Sequence, residues 1–529
     1  MTVPTITPYR PAGPAGPDGF AQLLRAEWTK FRTVRGWLAG LVVAALALVA
    51  IGLLAAGASS SSCQHVGGGP VRHGRACMPT FPVGPGGLAV QDSFYFVRQP
   101  LTGSGSITVR VTSLTGRLPA ANGNPTGPPA SPGQVPWAKA GIIVKDSTRP
   151  GSAYAAVMVT AGHGVRMQDD YTSDRAGRPG AVSAASPRWL RLTRAGDTIT
   201  GYDSADGTHW ARIGTVQLAG LAPTVQAGLF TASPGYEVIT QNFGGGTTGS
   251  GGPSQATGIF DHLSRSGRWP GGRWAGSYVG GAPGPGMGGY HQAGGRFTVT
   301  GSGDIAPVLP GDPGQTIDSH LVGTFAGLIA VIVVATLFIT AEYRRGLIRT
   351  TFAASPRRGR VLAAKAIVAG AAAFVAGLAA AAAALYFGAW VARQHGTYVL
   401  PVSGLTEFRI VAGTGALFAA AAILALALGA VLRRSAAAVS IVIVAIVLPY
   451  ILGIASVLPV GATDWLLRIT PAAAFAVQQA MPQYPQVTAL YSPGTGYFPL
   501  APWAGLAVLC GYAALVLGLA VVLLRRRDA

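Results

Sequence analysis

The chain has 529 residues, 49% of them hydrophobic and only 11% charged, where an ordinary soluble protein carries about 25% charged residues. That excludes a soluble enzyme of ordinary composition, a charged disordered chain and a coiled coil, and points to membrane spans. The 75 glycines and 38 prolines exclude a uniformly helical chain, so two kinds of region are expected, and the net charge of +20 takes its meaning from where the charges lie.

The first element is a lead-in over 1–35. Phe20, Leu23, Leu24, Trp28 and Phe31 recur at spacings of three and four, with Arg25, Lys30 and Arg32 at other positions. This predicts a basic amphipathic helix in the inner interface of a membrane; the plainer reading is the basic flank of a span. An apolar run follows at 36–57. With Ala55-Ala56-Gly57-Ala58 behind it, this run also fits a signal peptide. Its length of about 20 residues favours a retained span.

Residues 58–90 form a stalk carrying Cys63 and Cys77. Outside the cell these can close a disulfide; two free thiols are the alternative. Metal binding by Cys63, His65, His73 and Cys77 does not follow a standard zinc spacing, so no metal site is expected.

Residues 91–240 show short alternating or apolar β-rich segments separated by turns. Examples are Ser106-Ile-Thr-Val-Arg-Val-Thr112, Gly141-Ile-Ile-Val-Lys145, Trp189-Leu-Arg-Leu-Thr193 and Thr198-Ile-Thr-Gly-Tyr202, with a hairpin signal at Asp206-Gly207. An antiparallel sandwich is expected. Sandwich glycosidases need paired carboxylates about 5 Å apart, and Glu237 is the only Glu between 58 and 320, so no catalytic residue is assigned. Trp137, Tyr202 and Trp210 offer stacking faces for a glycan, and Arg166 and Gln168 offer polar contacts; packing in the core is the competing reading. Asp169, Asp170 and Asp174 carry oxygen ligands suited to Ca²⁺, although a solvated loop is the simpler reading. Residues 241–320 are Gly/Ser/Pro-rich and read as linker or long loop, with a returning strand near 296–306.

Five more apolar runs follow, at 321–341, 361–391, 411–432, 436–459 and 504–524. Lys365 places the start of the third span at the membrane surface. The loop 342–360 predicts a short amphipathic helix over 346–354, ended by Ser355-Pro356. The fold class is therefore a six-span α-helical membrane protein with an inserted all-β antiparallel sandwich.

Charge partition orients it. The lead-in, the loops after the second and fourth spans and the tail hold 17 Lys/Arg and four acids, a net of +13. By the positive-inside rule that side is cytoplasmic. Both termini are then inside the plasma membrane and 58–320 lies outside. Anionic lipid accounts for most of the basicity, and nucleic acid is not needed to explain it. The span cores hold almost no ionisable residues, which weighs against ion-coupled transport.

Two resemblances add to this. Arg-Ala-Glu-Trp-Thr-Lys-Phe-Arg at 25–32, Glu-Tyr-Arg-Arg-Gly-Leu-Ile-Arg-Thr-Thr at 342–351, Ser-Pro-Arg-Arg at 355–358 with Lys365, and Trp-Leu-Leu-Arg-Ile-Thr-Pro at 465–471 resemble ABC-2-type transporter permeases of high-GC Gram-positive bacteria. The resemblance covers about half the chain. It implies a permease subunit that pairs with a second permease copy and with a separate cytoplasmic ATPase, which binds ATP and Mg²⁺. It also implies that Glu27, Glu342, Arg344, Arg345 and Arg349 face that ATPase and that Phe352 packs on it. The chain has no phosphate-binding Gly-Lys loop of its own and is expected to hold no cofactor. Its large insertion departs from the family pattern. Asp92-Ser-Phe-Tyr-Phe96, Ala140-Gly-Ile-Ile-Val-Lys-Asp146, Trp189-Leu-Arg-Leu192 and the block from Thr200 to Trp210 resemble concanavalin A-like (laminin G-like) sandwiches, a likeness of fold that assigns no function. Two functions follow as expectations: an ABC-2 exporter permease, or a membrane-anchored receptor for glycan or protein without transport activity.

Overall fold

The computed structural model describes residues 19–59, 62–63, 72–119, 131–241, 247–281, 284, 286–310, 314–347, 350 and 357–526. A short helix α1 (Phe20–Thr33) precedes α2 (Arg35–Ala58). After the β domain come α3 (Thr324–Arg344), α4 (Arg358–Gln394), α5 (Gly404–Leu432), α6 (Ser435–Ile454), the ten-residue α7 (Val460–Ile469) and α8 (Pro502–Arg526). Among the described residues six helices are long and apolar enough to cross a membrane: α2, α3 with the preceding turn Ile317–Leu321, α4, α5, α6 and α8. The fifth ends sooner than its apolar run. Ser456 takes a left-handed φ of 50°, and Pro459 then opens α7, because the residue before a proline disfavours helix.

Small residues let these helices approach closely. One stripe of α4, including Gly370, Ala373, Gly377, Ala380, Ala381, Ala384 and Gly388, is buried. Gly327 of α3 and Gly377 of α4 both lie under the Phe418 ring, where an added Cβ would stand 2.8 Å from it. Dispersion contacts at this spacing take the place of the hydrophobic effect, which lipid does not supply between helices.

The β domain is antiparallel. Its strands are β1 (Val90–Asp92), β2 (Phe94–Leu118), β3 (Lys139–Lys145), β4 (Tyr154–Thr160), β5 (Gly164–Asp169), β6 (Ser173–Ala176), β7 (Arg188–Ala195) and β8 (Thr198–Ser204). There follow β9 (Ala211–Gln217), β10 (Thr224–Ala232), β11 (Gln255–Arg268), β12 (Ala275–Val279), β13 (Gly289–Ala293), β14 (Arg296–Gly301) and β15 (Ile305–Pro307). The 25-residue β2 serves two layers. Its first part lies in the order β6-β5-β4-β3-β10-β2-β12 and its second part in β9-β8-β7-β2-β11-β14-β13. It passes between them at Thr102-Gly-Ser-Gly105, where Gly103 has φ 69°, a conformation that favours glycine. Val97, Leu101, Ile142, Val144, Val157 and Met167 from one layer meet Val109, Leu190, Leu192 and Ile199 from the other. Phe94, Phe96, Ile143, Tyr154, Met158 and Phe230 form a second cluster on the opposite face of the first layer.

The segment 241–320 is not a linker. Strands β11, β14 and β13 complete the second layer and β12 edges the first, with Ala256, Phe260, Phe297 and Val299 buried. The alternation is hidden in the sequence because Gly258 occupies the inward position between Ala256 and Phe260. A Cβ there would stand 2.7 Å from Ala140. The returning strand expected near 296–306 is β14, which lies between β11 and β13.

Strands β1 and β15 carry the chain into and out of the domain and pair with each other. Two buried ion pairs fix them. Lys139 Nζ bonds Asp304 Oδ1 at 2.6 Å, and Lys145 Nζ bonds Asp92 Oδ2 at 2.8 Å. Asp92 Oδ2 also accepts from the Gly151 N–H and the Tyr171 hydroxyl, each at 2.8 Å. Burial pulls the Lys145 ammonium below the usual lysine range, and Asp92 opposes it. The domain is seated on the helices. Phe81, Leu88, Val308 and Leu309 pack into the helical core, and Phe81 meets Tyr398 edge-on at 5.0 Å. Gly314–Gln315 pairs in parallel with Tyr398–Val399. Gln486 Nε2 donates to the Tyr171 and Thr172 carbonyls at 3.1 Å each.

Candidate functional site

The ends of the helices farther from the β domain hold a cluster of buried and half-buried charges. Phe20, Leu23, Leu24, Glu27, Lys30 and Phe31 form the inward stripe of α1, and the slot at the middle of that apolar stripe is Glu27, fully buried. Lys365 from the second turn of α4 bonds Glu27 Oε2 at 2.7 Å and Glu342 Oε1 at 2.6 Å. Lys30 bonds Glu27 Oε1 at 2.8 Å and reaches Glu342 Oε1 at 3.4 Å. The Lys365 ammonium also sits 4.6 Å from the centre of the Phe338 ring, and Phe31 and Trp37 meet the same ring edge-on at 5.3 and 4.9 Å. Partial burial pulls the Lys30 ammonium down, but Glu27 and Glu342 outweigh it and leave its pKa above the usual lysine range. Two cations against two anions in a water-poor setting make a clamp that joins α1, α3 and α4.

This corrects two expectations. Glu27 and Glu342 are buried, at 0% and 8% exposure, and turn toward Lys365 rather than outward. Lys365 itself is fully enclosed by protein. The physical reason is that a carboxylate in an apolar helix stripe is tolerated only beside a counter-charge, and Lys365 supplies one. Arg344 and Arg345 are exposed at the end of α3, as are Trp28 and Leu347. Arg349 and Phe352 lie outside the described residues, as does most of the helix expected at 346–354.

The candidate glycan residues fall into two separate groups, Trp137 with Arg166 and Gln168, where Arg166 lies 5.7 Å from the Trp137 ring centre, and Tyr202 with Trp210. Arg166 and Gln168 are on the outer face of the first layer, since Val165 and Met167 point into the core. Gln168 is 1% exposed and Trp137 4%; Trp137 stacks on His163 at 3.9 Å. Tyr202 and Trp210 belong to the second layer, because Gly201 faces inward onto Val157 and Met167. There Arg191 lies 3.9 Å over the Trp210 ring. The Ca²⁺ reading also loses its ligands: Asp169 pairs with Arg175 and Asp174 with Arg166. Among the described residues no cluster of His, Cys, Asp or Glu fits a metal ion. Cys77 is disulfide-bonded; the side chain of Cys63 lies outside the described residues.

On the same outer face of the second layer Arg110 forms a double bond contact with Asp261, Nε to Oδ1 at 2.7 Å and Nη2 to Oδ2 at 2.8 Å. Hydrogen bonding from Arg110 holds the Asp261 carboxyl below its ordinary value. A depressed carboxyl stabilises the fold above the unfolded pKa of about 3.9, and that stability is lost as pH falls through the lower folded value. Arg110→Gln is therefore expected to remove about 1 kcal/mol at neutral pH and to flatten this acid limb. Thermal melting of both proteins between pH 2 and 6 checks it; parallel curves would refute the assignment.

At the end of the helices nearer the β domain a cavity of about 900 Å³ lies between α2, the start of α3 and α6, lined by Val322, Tyr450, Ile451 and Phe498 together with Asp318 and Gln478. Gln478 Nε2 donates to Thr324 Oγ1 at 2.9 Å and Thr414 Oγ1 at 3.0 Å. Sequence reasoning missed Gln478, because a lone Gln in an Ala-rich segment carries no motif.

Six membrane-length helices among the described residues define a multi-pass membrane protein. Residues 155–529 match the ABC-2 family transporter proteins, and the chain belongs to that family. No curated protein matches it. Solved structures similar to part of it include a functionally unknown protein from Saccharomyces cerevisiae, with 16% identity, 40% of this chain and 93% of that one covered, and a TM-score of 0.22. A GH43 protein from Bacillus licheniformis has 16% identity, 24% of each chain covered and a TM-score of 0.16. Scytalido-glutamic peptidase has 8% identity, 42% of this chain and all of that one covered, and a TM-score of 0.24. Likenesses this slight carry no argument about chemistry.

Proposed function

We propose that this chain is the membrane subunit of an ATP-binding-cassette exporter, driven by ATP hydrolysed in a separate cytoplasmic subunit and working with a second permease copy. Lys365, bonded at once to Glu27 of α1 and Glu342 of α3, carries this reading. A helix lying along the inner membrane surface would swing freely if held only by apolar contacts. Here it is tied by charge to two spans, so a push on α1 or on the end of α3 moves α3 and α4 together. The exposed Trp28, Arg344, Arg345 and Leu347 are the surface offered to the ATPase. The positive-inside distribution supports the orientation in which this end is cytoplasmic and the sandwich external. The outer cavity, apolar on one side and hydrogen-bonding on the other, suits an amphiphile.

Co-purification with the ATPase encoded beside this chain tests the contact. Reversing two exposed charges, Arg344→Glu/Arg345→Glu, is expected to weaken the complex at least about tenfold, since each desolvated charge contact contributes roughly 1–2 kcal/mol. The melting temperature should not change. A complex of undiminished affinity sinks the assignment of this surface.

A further inference from the structure

A second feature at this end of the helices adjoins the clamped helix. Between the first turn of α4, the last turn of α8 and Phe20 at the start of α1 lies a cavity of about 730 Å³, lined by Arg357, Arg358, Arg360 and Arg525 with the apolar Phe20, Ala363 and Val521 at its base. No acidic side chain is among the described residues lining it. Arg358 Nη1 donates to the Leu524 carbonyl at 2.9 Å, which ties the two helix ends together and sets the walls before any ligand arrives. Arg357, Arg360 and Arg525 bring three exposed guanidinium groups to this cavity, a concentration of positive charge that attracts an anion, and the planar guanidinium suits phosphate oxygens in particular.

The base of the cavity decides between kinds of anion. Apolar side chains are exposed alongside on both helices: Ile367, one turn beyond Ala363 on α4, is 47% exposed, and Leu515, Leu519 and Val522 on α8, on the face next to that of Arg525, are 74%, 49% and 45% exposed. An apolar track below a ring of arginines is the shape of a phospholipid, with the headgroup above and acyl chains along the helices. An acidic protein surface would meet the arginines but leave that track uncovered.

We infer that the α4–α8 cavity binds the phosphodiester headgroup of an anionic phospholipid, with Arg357, Arg360 and Arg525 as its cationic contacts and Arg358 as the residue that holds the cavity open. This rests on the insertion of the six helices in a bilayer and not on the transport reading. Its consequence is that lipid bridges the third and sixth spans at the inner leaflet, next to the helix that the clamp moves.

The test uses the full chain in detergent, titrated with phosphatidylglycerol, with phosphatidylcholine of the same chains, and with inorganic phosphate, and read by native mass spectrometry. Wild-type protein is expected to retain phosphatidylglycerol in preference to phosphatidylcholine, and millimolar phosphate should not displace it. Each arginine replaced should cost roughly fivefold in affinity, so Arg357→Gln/Arg360→Gln/Arg525→Gln should lose about a hundredfold. All three positions are exposed, so the melting temperature is expected to hold. Arg434→Gln, an exposed arginine after α5, should bind lipid as wild type does. Equal binding by the triple variant overturns the inference, and so does an equal loss in Arg434→Gln, which would mean general basicity. Displacement by phosphate would make it a soluble-anion site and overturn the lipid assignment. Loss of ATPase capture with unchanged lipid binding would make it a protein contact and overturn it as well.

Discussion

Lys365→Met is expected to destabilise the protein by about 3–5 kcal/mol and to release α1 from the helical bundle. Removing the central cation leaves Glu27 and Glu342 as buried like charges, with only the half-exposed Lys30 between them. Uncompensated buried charge is among the costliest single-site changes. The melting temperature in detergent should fall, and protease should cut within α1. The neutral variant Glu27→Gln/Glu342→Gln/Lys365→Met should recover most of the loss, because removing all three charges removes the imbalance. The same variant separates stability from coupling: with α1 no longer tied by charge, it should fold yet stimulate the ATPase less than wild type. An unchanged melting temperature in Lys365→Met would show that the clamp does not hold α1.

Asp92→Ala should have a comparable effect on the outer side. Asp92 receives bonds from Lys145, the Gly151 N–H and the Tyr171 hydroxyl, and both it and Lys145 are without exposed side-chain surface. The substitution leaves a buried ammonium whose other partners are the Ser152 carbonyl at 2.9 Å and the Tyr171 hydroxyl at 3.0 Å. A loss of about 3–5 kcal/mol is expected. It should appear as faster amide exchange in β1 and β15, the strands by which the domain joins α2 and α3. Asp92→Asn keeps the acceptor for Gly151 and should lose less. Protection of β1 and β15 equal to wild type in Asp92→Ala would refute the anchoring role.

The two ion groups play one mechanical part at opposite ends of the molecule. The inner clamp fixes a surface helix to α3 and α4. The outer pairs fix the domain to the chain segments that become α2 and α3. Gln486 and the Tyr398–Val399 pairing add contacts from the later outer loops. A domain held this way cannot swing independently of the spans. On the transport reading proposed above, it would report or restrict helix movement as well as bind whatever the outer surface recognises.

How much was legible depended on the kind of signal. Long apolar runs and β alternation are local, and they marked the six spans and most strands. The second layer of the sandwich was obscured because Gly258 breaks the inward alternation of β11, and glycine at such a place records a close contact with Ala140 that no local pattern shows. Glu27 and Glu342 stood out as charged residues, but their direction was misjudged. Sequence neighbours cannot reveal that Lys365 lies across from both, 338 and 23 positions away. Trp137, Arg166, Gln168, Tyr202 and Trp210 have the chemistry of a glycan site, yet alternation in two different strands sends them to opposite outer faces.

By itself the sequence determined the class of the protein. Its low charge, six apolar runs and alternating insert follow from the solvent each segment must meet, and solvent preference is written residue by residue. The distribution of its +20 charge predicts an orientation in the membrane on the same ground. Which charges face a partner and which are locked inward, where the arginines of α4 and α8 converge, and how the external domain is mounted were decided only by the tertiary structure. Those depend on pairing between distant residues, where Coulomb energy and desolvation compete over a few ångströms.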